Sequence, residues 1–148
     1  MAIDKTGKYW NGNCGEDIIE YLNGYSESEV SRAVIVKCSQ CEATAFTFKI
    51  DNDEGAVEVT CTSCKNKQLL LDSEEYWEDC EPTKVKCSVC KNSQHNLAIG
   101  FVYRESEEIG RSVKWIYIGS RCIKCGVLGS YGDWGINYAP TDEMERNV

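Results

Sequence analysis

Val36-Lys37-Cys38-Ser39-Gln40-Cys41 and Val85-Lys86-Cys87-Ser88-Val89-Cys90 are the two stretches that decide how this chain folds. A second pair follows each of them, Cys61-Thr62-Ser63-Cys64 and Cys122-Ile123-Lys124-Cys125, so eight of the ten cysteines form four C-x-x-C pairs. Only Cys14 and Cys80 stand apart. Random scatter of ten cysteines would give roughly 0.6 such pairs. Two intervening residues let one tight turn present both sulfurs to a single ion about 2.3 Å away, and two such turns complete a tetrahedron of thiolates. Zinc prefers this soft four-coordinate set, and iron in a rubredoxin-like site is the chemical alternative. Thiol–disulfide exchange would need only one pair, and none of the four opens an evident helix after a strand.

Spacing alone permits three ways of combining the pairs. The repeat of Val-Lys-Cys-Ser-x-Cys favours one of them, because Asp72 also lies eight residues after Cys64 just as Asp133 lies eight after Cys125. Aromatic residues follow both aspartates, as Tyr76 and Trp77 and as Trp134 and Tyr138. Two copies of one unit predict Cys38, Cys41, Cys61 and Cys64 around one ion and Cys87, Cys90, Cys122 and Cys125 around the other, with an interleaved cross-brace as the competing arrangement.

Between the pairs the residue pattern is that of strands. Ala45–Ile50 and Val57–Val59 flank an Asp-Asn-Asp-Glu-Gly turn in which Gly55 would supply a positive φ. Leu97–Arg104 and Val113–Gly119, rich in branched and aromatic residues, form a second hairpin with a polar tip over Glu105–Arg111. With these hairpins the chain resembles the zinc-ribbon family, in which two C-x-x-C knuckles clamp one zinc beneath a small antiparallel sheet. The resemblance covers roughly residues 34–72 and 84–133 and implies fold and metal but no activity. The family often has glycine after the second cysteine of a knuckle; here only Gly126 does so, while Glu42, Lys65 and Lys91 hold the other three places.

The expected fold is mainly β with one short N-terminal helix and two small antiparallel zinc-ribbon units in tandem. Residues 1–30 form a helical segment packing on the ribbons, 31–81 the first ribbon with an acidic connector, and 82–148 the second ribbon with a C-terminal tail. Glu16–Tyr25 is the helix, with Ile18, Ile19 and Leu22 on one face and Gly24 as a stop signal.

Nothing in the first twenty residues reads as an export signal, and the longest run free of charged or strongly polar side chains, Leu97–Tyr103, is roughly one third of a membrane span. A cytoplasmic protein with reduced thiols is expected; Cys14 and Cys80 read first as free, unreactive thiols, with a disulfide between them or service as accessory ligands as the alternatives. The formal charge of −8 falls to −12 when two tetrathiolate zinc centres of −2 each are added. Eight basic residues, Lys37, Lys65, Lys67, Lys84, Lys86, Lys91, Arg121 and Lys124, lie within three positions of a knuckle cysteine and read first as local compensation of that charge. Asp72–Glu81 carries six acids and no base. Asp72, Glu74, Glu75, Tyr76, Trp77, Glu78 and Asp79 are therefore the expected contact residues for a basic protein partner, with nucleic acid less favoured because like charge slows its approach.

His95 is the only histidine and is expected in a surface loop; no set of nucleophile, base and orienting group is visible, and tetrahedra closed by cysteine keep no open metal position. The expectation is a noncatalytic protein acting by protein–protein interaction, of the kind a small acidic bacterial immunity or inhibitor protein would be. The alternatives are a transcription- or RNA-associated ribbon binding nucleic acid and a zinc-thiolate redox switch. The sequence does not fix the oligomeric state.

Overall fold

The computed structural model describes residues 10–12, 14–25, 30, 32–106, 110–136 and 141–148. In chain order the elements are α1 (Glu16–Tyr25), β1 (Arg32–Ile35), β2 (Phe46–Asp51), β3 (Ala56–Cys61), β4 (Lys67–Leu69), α2 (Ser73–Tyr76) with a 3-10 turn over Trp77–Asp79, β5 (Thr83–Lys84), β6 (His95–Ser106), β7 (Gly110–Cys122), β8 (Leu128–Gly135) and α3 (Asp142–Arg146). The chain is thus mainly antiparallel β, with short helices. Tyr138 and residues 107–109 of the expected hairpin tip lie outside the described residues.

Strict alternation makes the first hairpin: Phe46, Phe48 and Ile50 are buried while Thr47 and Lys49 face outward. β2 and β3 pair in register from Phe46↔Cys61 to Asp51↔Ala56. The Asp51 carboxylate closes the turn by accepting the Asp53 and Glu54 N–H groups at 3.0 and 3.1 Å, and Gly55 takes φ +74°. Only a residue without Cβ fits at Gly55, since that atom would come within 2.9 Å of the Trp134 ring.

β6, β7 and β8 form the second antiparallel unit, and its strands run longer than their branched cores suggest. The β2–β3 and β6–β8 hairpin units pair directly at a single position, Phe46↔His95, beyond which β2 and β6 separate. Short strands fill the vacated edges: β5 pairs with β2 at Lys49 and Ile50, and β1 pairs with β6 from Ala98 to Phe101. The result is one eight-stranded sheet, folded so that both units contribute to a common core. Phe46, Phe48, Ile50, Val57 and Val59 come from one side, and Leu97, Ile99, Phe101, Ile116, Ile118 and Trp134 from the other.

β6 is buried on both faces, which explains its nearly unbroken apolar run. Its odd residues fill the common core, and Ala98 and Val102 face α1, whose Ile18 and Leu22 are fully buried; Ile19, placed on the same face by periodicity, is only partly so. The helix is able to lie this close because Gly100 and Gly119 leave room beneath it. Glu16 and Asp17 at its start suit the positive end of the helix dipole. Among the described residues, no helix is long and apolar enough to cross a membrane.

His95 departs from the expectation of a surface loop. It opens β6, is 0% exposed, and packs edge-on against Phe48 with ring centroids 5.4 Å apart. Desolvation lowers its pKa, so the imidazole is held neutral, and its Nδ1–H donates to the Ser93 carbonyl at 3.1 Å. Its place at the one strand pair joining the two units explains its burial.

The close seat of α1 gives a direct test. A Cβ on Gly119 would lie 2.6 Å from Ile18 Cγ2, so Gly119→Ala is expected to lower stability by about 1–3 kcal/mol, read from the urea unfolding midpoint. Gly15→Ala is the control: its nearest side-chain atoms lie at 3.8 Å, and the change should stay within about 0.5 kcal/mol.

Candidate metal centres

Four knuckles share one backbone plan. In each, the N–H of the residue after the second cysteine donates to the carbonyl of the first: Glu42 to Cys38 at 2.9 Å, Lys65 to Cys61 at 3.0 Å, Lys91 to Cys87 at 2.9 Å and Gly126 to Cys122 at 2.8 Å. The first cysteine's own N–H donates to the carbonyl one residue further on, at Ala43, Asn66, Asn92 and Val127, over 2.8–2.9 Å. Closing this loop forces the residue after the second cysteine into the left-handed region, with φ of 62°, 66°, 64° and 81° at Glu42, Lys65, Lys91 and Gly126. Three of the four knuckles therefore adopt the geometry without the glycine that would make it free of strain, at a cost of roughly 1–2 kcal/mol each.

The strands bring the knuckles together in sequential pairs rather than as a cross-brace. Cys38, Cys41, Cys61 and Cys64 form one quartet and Cys87, Cys90, Cys122 and Cys125 the other, each with all four sulfurs within 4.8 Å of one another. The cross-knuckle distances repeat: Cys38–Cys64, Cys41–Cys61, Cys87–Cys125 and Cys90–Cys122 are all 3.5 Å. A disulfide would be about 2.05 Å. A tetrahedral zinc with Zn–S bonds of about 2.3 Å has edges of roughly 3.8 Å, so each quartet has the size and the donor set of a closed four-thiolate site for a zinc-like ion.

Backbone dipoles favour thiolates here. The Cys64 N–H, followed by that of Ser63, draws Cys61 down to about 6. At Cys122 burial opposes ionisation, but the Cys125 and Lys124 N–H groups and the Asn92 amide outweigh it and bring this thiol also to about 6. The Gln40 N–H, ahead of Cys41, lowers Cys38, and donates to its sulfur at 3.4 Å. In the other direction, Cys41 is pushed up to about 12: the Ala43 N–H favours its thiolate, but the neighbouring Cys61 sulfur leaves the shared proton with it. Sulfurs 3.5 Å apart cannot all ionise unless a cation joins them.

The quartets differ in their surroundings. Cys41 and Cys64 are exposed, whereas Cys90 and Cys125 are partly covered. The second quartet gains a side-chain contact, Asn92 Nδ2 to Cys122 Sγ at 3.6 Å, and is laced to the N-terminal segment by Gly12 N–H to the Gly126 carbonyl at 2.8 Å. Of the basic residues near the knuckles, Arg121 is committed to the Gly12 carbonyl at 2.8 Å and Asn96 at 3.0 Å, and the seven lysines are exposed. Cys14 and Cys80 are partly buried and belong to neither quartet; Cys80 Sγ donates to the Tyr76 carbonyl at 3.2 Å.

The acidic segment is placed by the first unit. Ser73, fully buried, accepts the Val57 N–H of β3 at 2.9 Å and donates to the Leu70 carbonyl, which pins the start of α2. Leu71 turns the chain with φ 62° while its N–H donates to the Asn147 carbonyl at 2.7 Å and its carbonyl accepts from Asn147 Nδ2 at 2.8 Å. At the far end the Glu81 N–H donates to Asp51 Oδ2 at 2.8 Å, and with the Glu54 N–H this holds the Asp51 carboxyl below its usual range. Glu74, Glu75, Glu78 and Asp79 project to solvent, while Asp72, Tyr76 and Trp77 are half-buried. The Asn147 clamp has no sequence signature, since it joins residues that are distant along the chain.

Strain at the knuckles makes a measurable statement. Lys91→Gly is expected to raise stability by about 0.5–1 kcal/mol by removing the Cβ penalty at φ 64°. Gly126→Ala should do the reverse and more, because its Cβ would also meet the Gly12 carbonyl oxygen at 2.8 Å. Chemical denaturation of both variants at fixed metal content checks the pair.

The two four-cysteine clusters are consistent with zinc-ribbon-like units. No protein-family model matches the chain, and comparisons with curated proteins and with solved structures likewise give no match.

Proposed function

We propose that this is a noncatalytic protein in which two structural zinc ions hold a rigid β frame that presents an acidic face to a basic protein partner. The observation that carries the reading is the anchoring of the acidic segment. Ser73, Leu71 and Asp51 fix its ends through the hydrogen bonds described above, while Glu74, Glu75, Glu78 and Asp79 point outward. A fixed array of carboxylates loses little entropy on docking and steers a positively charged partner by its field. This profile suits a small acidic immunity or inhibitor protein that neutralises a basic target inside the cell.

Three features support a role without catalysis. Each metal would be enclosed by four thiolates with no position left for water or substrate. His95, the one histidine, is buried in the join between the units. Zinc is the ion that best fits a four-thiolate tetrahedron with purely structural duties.

The exposed lysines at the knuckles favour a second reading, in which the ribbons contact a nucleic-acid backbone. Crosslinking and mass spectrometry of the metal-loaded protein in its native host separate the two. Crosslinks from residues 72–81 to basic proteins are expected, and lost when Glu74, Glu75, Glu78 and Asp79 are all changed to lysine. Recovery of nucleic acid alone, through Lys86, Lys91 or Lys124, would reject the acidic-face reading.

The metal assignment has its own test. Purified protein should carry two zinc ions by elemental analysis, and Cys61→Ser should carry one, with the second hairpin retaining strand signals in NMR spectra. Loss of neither ion would refute the grouping of the ligands.

A further inference from the structure

Three segments distant in sequence converge on one surface hollow beside the acidic face. Glu54 and Gly55 come from the β2–β3 turn, Asp72 and Tyr76 from the start and end of α2, and Trp134 and Ile136 from the end of β8. Two carboxylate residues and two aromatic rings line it, and no lysine or arginine does. Gly55 forms part of the wall, and the pyrrole edge of Trp134 lies against it: a Cβ there would be 2.9 Å from Cδ1 and 3.1 Å from Nε1. Trp134 is 8% exposed, and its buried Nε1–H has no acceptor among the described residues. An indole N–H in that state is destabilising unless an acceptor arrives. Burial, then the charges of Asp72 and Glu75, pushes the Tyr76 hydroxyl pKa up, so the phenol stays neutral in a negative field.

From this arrangement we infer that the hollow is a receptor for a lysine side chain, with the ammonium held between Glu54 and Asp72 against the Tyr76 and Trp134 rings and a carbonyl of the same segment accepting the Trp134 indole N–H. Charge-assisted hydrogen bonds and cation–π contact act together on an ammonium at such a place. A hard divalent cation fits poorly, because it demands six or more oxygens and only two carboxylate residues line the hollow. The hollow is small, about 60 Å³, which suits the compact ammonium of lysine better than the broader planar guanidinium. The inference rests on the reading of the acidic face as a docking surface for a basic protein. It adds the point at which one residue of the partner is gripped, and Glu54, Trp134 and Ile136 are its new members.

The test uses the zinc-loaded full chain and a synthetic lysine-rich peptide, compared with the same peptide acetylated on every lysine and with an arginine-rich peptide of equal length. Affinity is read by calorimetry at low salt, and the assigned indole N–H signal of Trp134 is followed by NMR. The lysine peptide is expected to bind at least tenfold more tightly than the acetylated one and detectably better than the arginine one, and to shift the Trp134 indole signal. Glu54→Gln and Tyr76→Leu should each weaken it about tenfold with metal content and circular dichroism unchanged. If both variants bind as the native protein does and the indole signal stays in place, yet lysines at Glu74, Glu75, Glu78 and Asp79 abolish binding, the hollow is refuted and the acidic face stands. If no peptide binds the native protein even at low salt, both are refuted.

Discussion

Four sulfurs cannot sit 3.5 Å from their neighbours as thiolates, nor pack so closely as thiols for any benefit of their own, unless something positive lies among them. The rest of the structure depends on that constraint. The knuckles fix where β2, β3, β6 and β7 begin and end: Cys61 and Cys122 are the last residues of β3 and β7, and His95 opens β6 five residues after Cys90. A metal that joins the knuckles therefore sets the register of both hairpins, because a slip of one residue would carry a cysteine to the wrong face. A structural zinc contributes on the order of 10 kcal/mol. The left-handed backbone at Glu42, Lys65 and Lys91 costs about 3–6 kcal/mol in sum, so the ion offsets it with margin. Glycine at those positions is a convenience, and side chains are tolerated where the metal is present.

Metal alone does not account for the packing. The two units share a core, and their single strand contact at Phe46↔His95 lets the sheet split so that Phe48 and Ile50 face Ile99 and Ile118 across it. Each unit by itself would bury few large side chains, and chains that small ordinarily need a metal or other staple. Joined, they bury Phe46, Phe48, Phe101, Leu70, Leu97, Ile99, Ile116 and Ile118 nearly completely. The four-cysteine knuckles fix local geometry, and the common core joins the two units.

Much of this was legible in residue spacing. The knuckles follow from C-x-x-C and their grouping from the Val-Lys-Cys-Ser repeat; the helix over Glu16–Tyr25 follows from its periodicity, and the first hairpin from alternation about Gly55. β8 was not, since Leu128–Gly135 contains three glycines and reads as turn or loop. Two of those glycines are close-approach positions: Ile50 would lie 2.4 Å from a Cβ on Gly132, and the Trp115 ring 3.0 Å from one on Gly135. β5, two residues long, is invisible to any periodicity. His95 was misplaced because a polar residue after Asn92-Ser93-Gln94 looks like loop, while its packing on the Phe48 ring across the join is a contact distant in sequence. Local patterns carry local structure; the edges where the two units meet are set by contacts that no short window contains.

The internal repeat also shows how duplicated spacing diverges in use. Asp72 and Asp133 hold the same place relative to their last cysteines, yet Asp133 is spent within the sheet, accepting from Trp115 Nε1 at 3.0 Å, while Asp72 stands at the start of α2 in the wall of the hollow. The second unit is buttressed on both faces, by α1 behind and the first unit in front. The first unit instead carries the acidic segment outward on a backbone tied at Leu71, Ser73 and Asp51. The carboxylates of Glu74, Glu75, Glu78 and Asp79 have no basic neighbours in their own segment, which carries six acids and no base.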